Sequence, residues 1–135
     1  MHKQSNELVS FLIGKWDNLS FEVTDGKPVK TETYSETMIA KDFDTLIITA
    51  HEYRNGKDLS REMCLKLDGN NITMMQGDFL AKGKCENNLY TFAASINESE
   101  YRFRIYTLGD KFVFHRETWK NGNVVQVDMS YLVRK

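Results

Sequence analysis

A chain of 135 residues, 41% hydrophobic and 27% charged, has the make-up of one globular domain spanning 1–135. Its net charge of −1 removes the basic footprint of a nucleic-acid binder. The apolar stretches are too short to span a membrane, and residues 1–13 lack a signal peptide's apolar run. The expected location is therefore the cytoplasm, the alternative being a mature secreted form whose signal has been removed. The two cysteines, Cys64 and Cys85, cannot build a disulfide framework. No Cys/His spacing reads as a metal site, and no cofactor is expected.

In chain order, the first element is a short helix capped by Ser5 or Asn6. Leu8 and Leu12 lie four apart on one face, and Gly14 is its stop. So short a helix is unstable alone and must pack on an end of the remaining structure. Everything after Gly14 reads as strand and turn. Turn signals stand at Asp25-Gly26, Asn55-Gly56, Asp68-Gly69-Asn70, Asn87-Asn88, Asn97 to Glu100, Gly109-Asp110 and Asn121-Gly122. The runs between them are short, and none holds a convincing crossover helix, which argues against parallel sheet. The expected fold is all-β: a closed up-and-down antiparallel barrel of about ten strands with one short N-terminal helix.

Hairpin turns fix which residues face each other, so the faces can be predicted. Around Gly109-Asp110, Ile105 meets Phe114, Phe103 meets Arg116, and Arg102 meets Glu117. Around Asn121-Gly122 the same logic sets Phe114 against Met129, His115 against Asp128 and Arg116 against Val127. Around the 97–100 loop, Phe92 meets Ile105 and Ala94 meets Phe103. The predicted inner face then carries Tyr90, Phe92, Ala94, Ile96, Tyr101, Phe103, Ile105, Phe112, Phe114, Val125, Val127, Met129 and Tyr131. The outer face carries Arg102, Arg104, His115, Glu117, Gln126 and Asp128. Leu46, Ile48 and Ala50 share the inner face with Leu59, Met63, Leu65 and Leu67, and with Ile72 and Met74 beyond the next turn. Strands near Trp16 to Val23 and Thr31 to Ala40 break parity and stay unassigned; a bulge in the first strand accounts for this.

The short helix running into Gly14-Lys15-Trp16, the strand meander and the late Arg134 together resemble the calycin group. That group includes lipocalins, fatty-acid-binding proteins and compact bacterial lipocalin-like domains, the last being the nearest match. The resemblance implies that Trp16 plugs one end of the barrel and Arg134 packs across it. It also implies small-molecule or lipid binding. The chain departs from particular members: Asp25-Gly26-Lys27-Pro28 leaves no room for a helical lid, and no late helix is visible. Val124 to Lys135 contains no histidine to match the axial ligand of nitrobindin-like haem barrels.

Polar groups on an apolar face are informative because burying them is costly unless they are paired. Glu52, Arg61 and Arg116 fall there. Arg61 lies opposite Ala50 and diagonal to Glu52, within ion-pair reach. One reading is internal ion pairs; the other is a bidentate clamp on an anionic ligand group by Arg116 and Arg61, with Tyr101 or Tyr131 donating a hydroxyl. His115 with Asp128 reads as part of an outer charge ladder rather than a catalytic pair. The methionines read as core or pocket lining. The preferred function is a non-enzymatic carrier or sensor for a small, largely apolar or amphipathic ligand, lined by Phe92, Phe103, Phe114 and Met129. The alternatives are an isomerase- or cyclase-like enzyme using Glu52 as base, and a filled barrel serving as a structural or interaction domain.

Overall fold

The computed structural model describes residues 7–135, the side chains of Lys30 and Arg54 excepted. The caps expected at Ser5 or Asn6 lie outside the described residues. Helix α1 (Glu7–Leu12) is followed by β1 (Gly14–Thr24), β2 (Lys27–Asp42), β3 (Thr45–His51), β4 (Tyr53–Arg54), β5 (Lys57–Asp58) and β6 (Arg61–Asp68). Then come β7 (Asn71–Gln76), β8 (Phe79–Glu86), β9 (Leu89–Ile96), β10 (Ser99–Leu108), β11 (Lys111–Lys120) and β12 (Asn123–Arg134). Ten strands close in the order β1-β12-β11-β10-β9-β8-β7-β6-β3-β2, and β4 with β5 forms a separate two-stranded ribbon. Every neighbour pair is antiparallel, so the barrel is the expected up-and-down meander without free edges. Among the described residues no helix is long and apolar enough to cross a membrane.

Turn chemistry explains the meander. Asp25, Asn55, Asn87, Asn97 and Asn121 all have positive φ, the conformation that short hairpin loops demand and that Asn and Asp tolerate best. Gly83 has a different task. A Cβ there would lie 1.8 Å from the Thr91 carbonyl oxygen, so β8 and β9 approach too closely for any side chain.

One end of the barrel is sealed. Leu8, Val9 and Leu12 of α1 pack with Trp16, Met38, Leu46, Leu67, Ile72, Ile105, Phe112 and Leu132. Trp16 is wholly buried and its Nε1 donates to the Leu12 carbonyl at 2.8 Å. The Arg134 guanidinium sits 4.2 Å from the centre of the Trp16 ring and 5.3 Å from that of Phe11. Arg134 also donates to the carbonyls of Ile13 and Phe11, which ties the last strand to the end of the helix. Both roles implied by the resemblance are therefore present.

The register holds in part. Around Gly109-Asp110 all three expected pairs occur. Around Asn97 the pairs are Phe92 with Phe103, Ala94 with Tyr101 and Tyr90 with Ile105, displaced by two residues, which leaves every side chain on its expected face. Around Asn121-Gly122 the displacement is one residue, and the faces exchange. Trp119 pairs with Val124 but Thr118 pairs with Gln126, leaving Val125 as an extra residue. Its carbonyl accepts from the Asp25 amide at 2.9 Å, which anchors this bulge to the β1–β2 turn. Beyond it Arg116 faces Asp128, Phe114 faces Ser130 and His115 faces Met129. Val127, Met129 and Tyr131 thus lie on the outer face, not the inner one, and Asp128 lies inside. The bulges that break parity early in the chain are in β2, at Val29 and Lys41, rather than in the first strand.

Cysteine labelling checks the exchange of faces. With Cys64 and Cys85 replaced by serine, Met129→Cys is expected to react with a bulky maleimide about tenfold faster than Ser130→Cys. Equal rates, or the reverse order, would contradict this register.

Candidate functional site

The half of the barrel away from Trp16 encloses a cavity of about 440 Å³. A further space of about 480 Å³ at the barrel mouth shares Tyr101 and Arg116 with it and is bordered by the Asp25 and Lys120 ends of two hairpins. The wall has two unlike sides. Strands β8, β10 and β11 contribute Phe79, Tyr101, Phe103, Phe112 and Phe114. Phe103 is the hub of this side: it stacks on Phe92 at 5.0 Å and meets Phe79 and Phe114 edge-on. Facing it across the lumen, β1, β2 and β12 contribute Asn18, Ser20, Glu22, Glu32, Tyr34, Glu36, Asp128 and Ser130.

This polar side is an inside-out piece of sheet. Along β12 the even positions Gln126, Asp128 and Ser130 face inward, while Val127, Met129, Tyr131 and Val133 face outward. Along β1 Asn18, Ser20 and Glu22 face inward while Leu19, Phe21 and Val23 face outward. Core packing alone has no use for such a pattern, whereas a lumen that holds something polar does.

Its deepest part is a hydrogen-bonded cluster. Asn18 is 2% exposed and Glu36 is 8% exposed. The Asn18 side-chain amide nitrogen donates to the Glu36 carboxylate and, at 3.1 Å, to the Tyr34 hydroxyl oxygen. Ser130 also hydrogen-bonds Tyr34. Burial pushes the Glu36 carboxyl up to about 7, against the opposing pull of the Asn18 bond and the Arg61 charge. Burial together with the Glu36 charge raises the Tyr34 phenol as well. Asn18 Oδ1 is buried without a hydrogen-bond partner. A buried acceptor in that state costs about 1–3 kcal/mol, and Asn18 is one of the residues that line the cavity.

The residues singled out from sequence fall into three groups. Arg116, Arg61, Tyr101, Phe103 and Phe114 all line the cavity. Arg116 is occupied: it binds Asp128 through Nη2 at 2.5 Å and Nε at 3.1 Å, and Gln126 donates to the same carboxylate oxygen at 3.0 Å. Arg61 pairs with Glu52 at 3.4 Å, as the diagonal placement implied, and its charge lies 5.9 Å from the centre of the Tyr34 ring. Glu52 itself is not in the cavity wall. Met129 and Tyr131 lie on the outer face, where the Val125 bulge places them. His115 stays outside, 4.0 Å from Glu117, while its expected neighbour Asp128 is a cavity residue. Among the described residues no group of three or more His, Cys, Asp or Glu could hold a metal ion.

Asn18, Tyr34, Glu36 and Ser130 were not legible as site residues. Three lie on the two strands whose faces stayed unassigned from sequence, and the fourth lies beyond the bulge of β12. The signal that could have found them is the run Glu32-x-Tyr34-x-Glu36, three polar residues on one face beside Asn18-x-Ser20-x-Glu22.

No protein-family model and no curated protein matches the chain. Solved structures do. The structure of the S-type phycobiliprotein lyase CPES from Guillardia theta aligns with a TM-score of 0.69 at 10% identity, covering 99% of this chain and 94% of that one. A redesigned β-barrel aligns with a TM-score of 0.56 at 13% identity, covering 98% of this chain and 99% of the other. At these identities the likeness is one of fold. The closed ten-stranded meander, plugged by a tryptophan beneath a late arginine, fits a calycin-type fold.

Proposed function

We propose that the protein is a carrier or sensor that binds one small, largely apolar, amphipathic molecule inside the barrel. The observation that supports it most is the two-sided lumen, an aromatic side facing a polar side that contains a buried, unpartnered acceptor. The cavity lies within the range of small-molecule sites, roughly 300–1,000 Å³. Stacking on the Phe103 cluster supplies affinity, and the Asn18–Tyr34–Glu36 cluster sets orientation. The phycobiliprotein lyase, a barrel of the same fold, is in keeping with a ligand-handling interior.

Native mass spectrometry of protein purified without denaturation tests this. A bound small molecule is expected on the wild type and not on Ala50→Phe, which places a ring in the lumen beside Arg61. Protein that carries nothing, and takes up no apolar probe, would overturn the proposal.

One observation favours a second reading. A carboxyl held near neutrality inside a cavity is equipped to pass a proton in either direction. An enzyme on this scaffold would use Glu36 in the role assigned to Glu52 from sequence. Glu36→Gln would then keep ligand binding and abolish turnover.

A further inference from the structure

The polar side of the lumen is chemically one-sided. Its deepest unmet group is an acceptor, Asn18 Oδ1, held in place because the Asn18 amide nitrogen is spent on Glu36 and Tyr34. Beside it stands the Glu36 carboxylate, and nearer the mouth are Glu22 and Glu32. Two guanidiniums share the wall, but each already has a carboxylate: Arg116 holds Asp128 and Arg61 holds Glu52. A carboxylate ligand entering here would compete with Glu52 and Asp128 for these guanidiniums and would meet the repulsion of Glu22, Glu32 and Glu36 in the same wall. A ligand nitrogen bearing hydrogens breaks neither pair, and it enters a wall that carries four carboxylates, Glu22, Glu32, Glu36 and Asp128, against two guanidiniums.

From this we infer that the cavity selects molecules whose polar end is a hydrogen-bond-donating nitrogen, above all a protonated amine, received by the Glu36 carboxylate that Asn18 holds in place. This rests on the proposal that the lumen binds a small molecule, and it runs against the anion clamp, the second of the two readings of the arginines in the sequence. The apolar remainder of the ligand then lies against Phe79, Phe103 and Phe114. A charge-assisted hydrogen bond in a dry setting is about twice as strong as a neutral one, which gives the amine its advantage.

The test is a matched set of probes: 2-naphthylmethylamine, 2-naphthylmethanol and 2-naphthoate, titrated by calorimetry into the full chain at pH 7.5. The amine is expected to bind at least about tenfold more tightly than either of the others. In Glu36→Gln the amine should weaken about tenfold while the alcohol stays within about threefold, the alcohol serving as the control for an intact lumen. If the alcohol or the naphthoate binds as well as the amine, the inference fails and the ligand-binding proposal stands. An amine preference that survives in Glu36→Gln also overturns the inference, because it then arises elsewhere on the molecule. If none of the three binds, both fail together.

Discussion

Trp16→Ala is expected to cost about 3–5 kcal/mol of stability, the range for emptying a fully buried large aromatic site. The ring is wholly buried in the core cluster beneath α1, and its loss would remove a contact from each of three groups. The Leu12 carbonyl would lose its donor, Arg134 its aromatic face, and Phe11 a ring 5.8 Å away. Because α1 is only six residues long, it has no stability of its own and is held by this packing. Trp119 provides the comparison. It is half-buried on the outer face, covered by Arg102 at 4.0 Å, and Trp119→Ala should cost about 1 kcal/mol or less. Urea unfolding of both variants at one pH checks this. Equal losses, or a loss at Trp16 below about 1 kcal/mol, would remove the plug from the account.

The second large effect depends on pH. Glu36 is pushed up to about 7 in the folded barrel from its ordinary 4.5, because burial disfavours its charge. A carboxyl whose folded value is raised adds stability that is fully present below its unfolded value. That contribution is lost as the pH rises through the folded value. From pH 4.5 to pH 8 the wild type should therefore lose about 3 kcal/mol relative to Glu36→Gln, which cannot ionise. The other titrating groups are common to both proteins and cancel in the difference. Tyr34, raised by burial from its ordinary value, ionises above this window. Paired urea midpoints at the two pH values give the measurement. A flat difference would mean that Glu36 ionises freely. A barrel built only for stability would not keep such a residue, so the same experiment bears on function.

How much of this was legible in the sequence follows from what hairpins and lumens demand. Asp25-Gly26, Asn55-Gly56 and Asn121-Gly122 announce turns because a left-handed backbone is cheap only for such residues. The faces of β9, β10 and β11 were legible because Phe92, Phe103 and Ile105 are apolar where the barrel is filled. The rule that apolar means inside fails on β12 and β1, where the lumen itself is polar. Met129 and Tyr131 look like core and lie outside; Asp128 looks like surface and lies inside. A single extra residue at Val125 accomplishes the exchange, and nothing in its side chain marks it as a bulge. Glu36 was hidden by the extra residues Val29 and Lys41, which break alternation on either side of it. Both arginines line the cavity; Arg61 keeps the Glu52 pair that the ion-pair reading implied, whereas the Asp128 partner of Arg116 was hidden because the face of β12 was assigned the wrong way round.

The central claim is that a small molecule binds between the aromatic and polar sides of the lumen. Methionine-methyl NMR during titration with 2-naphthylmethylamine tests it most directly. Met63 and Met74 line the cavity, whereas Met75 and Met129 are each 37% exposed on the outside. Probe-to-methyl contacts are expected at Met63 and Met74 and absent at Met75 and Met129. Contacts confined to Met75 or Met129, or none at any of the four, would contradict the account.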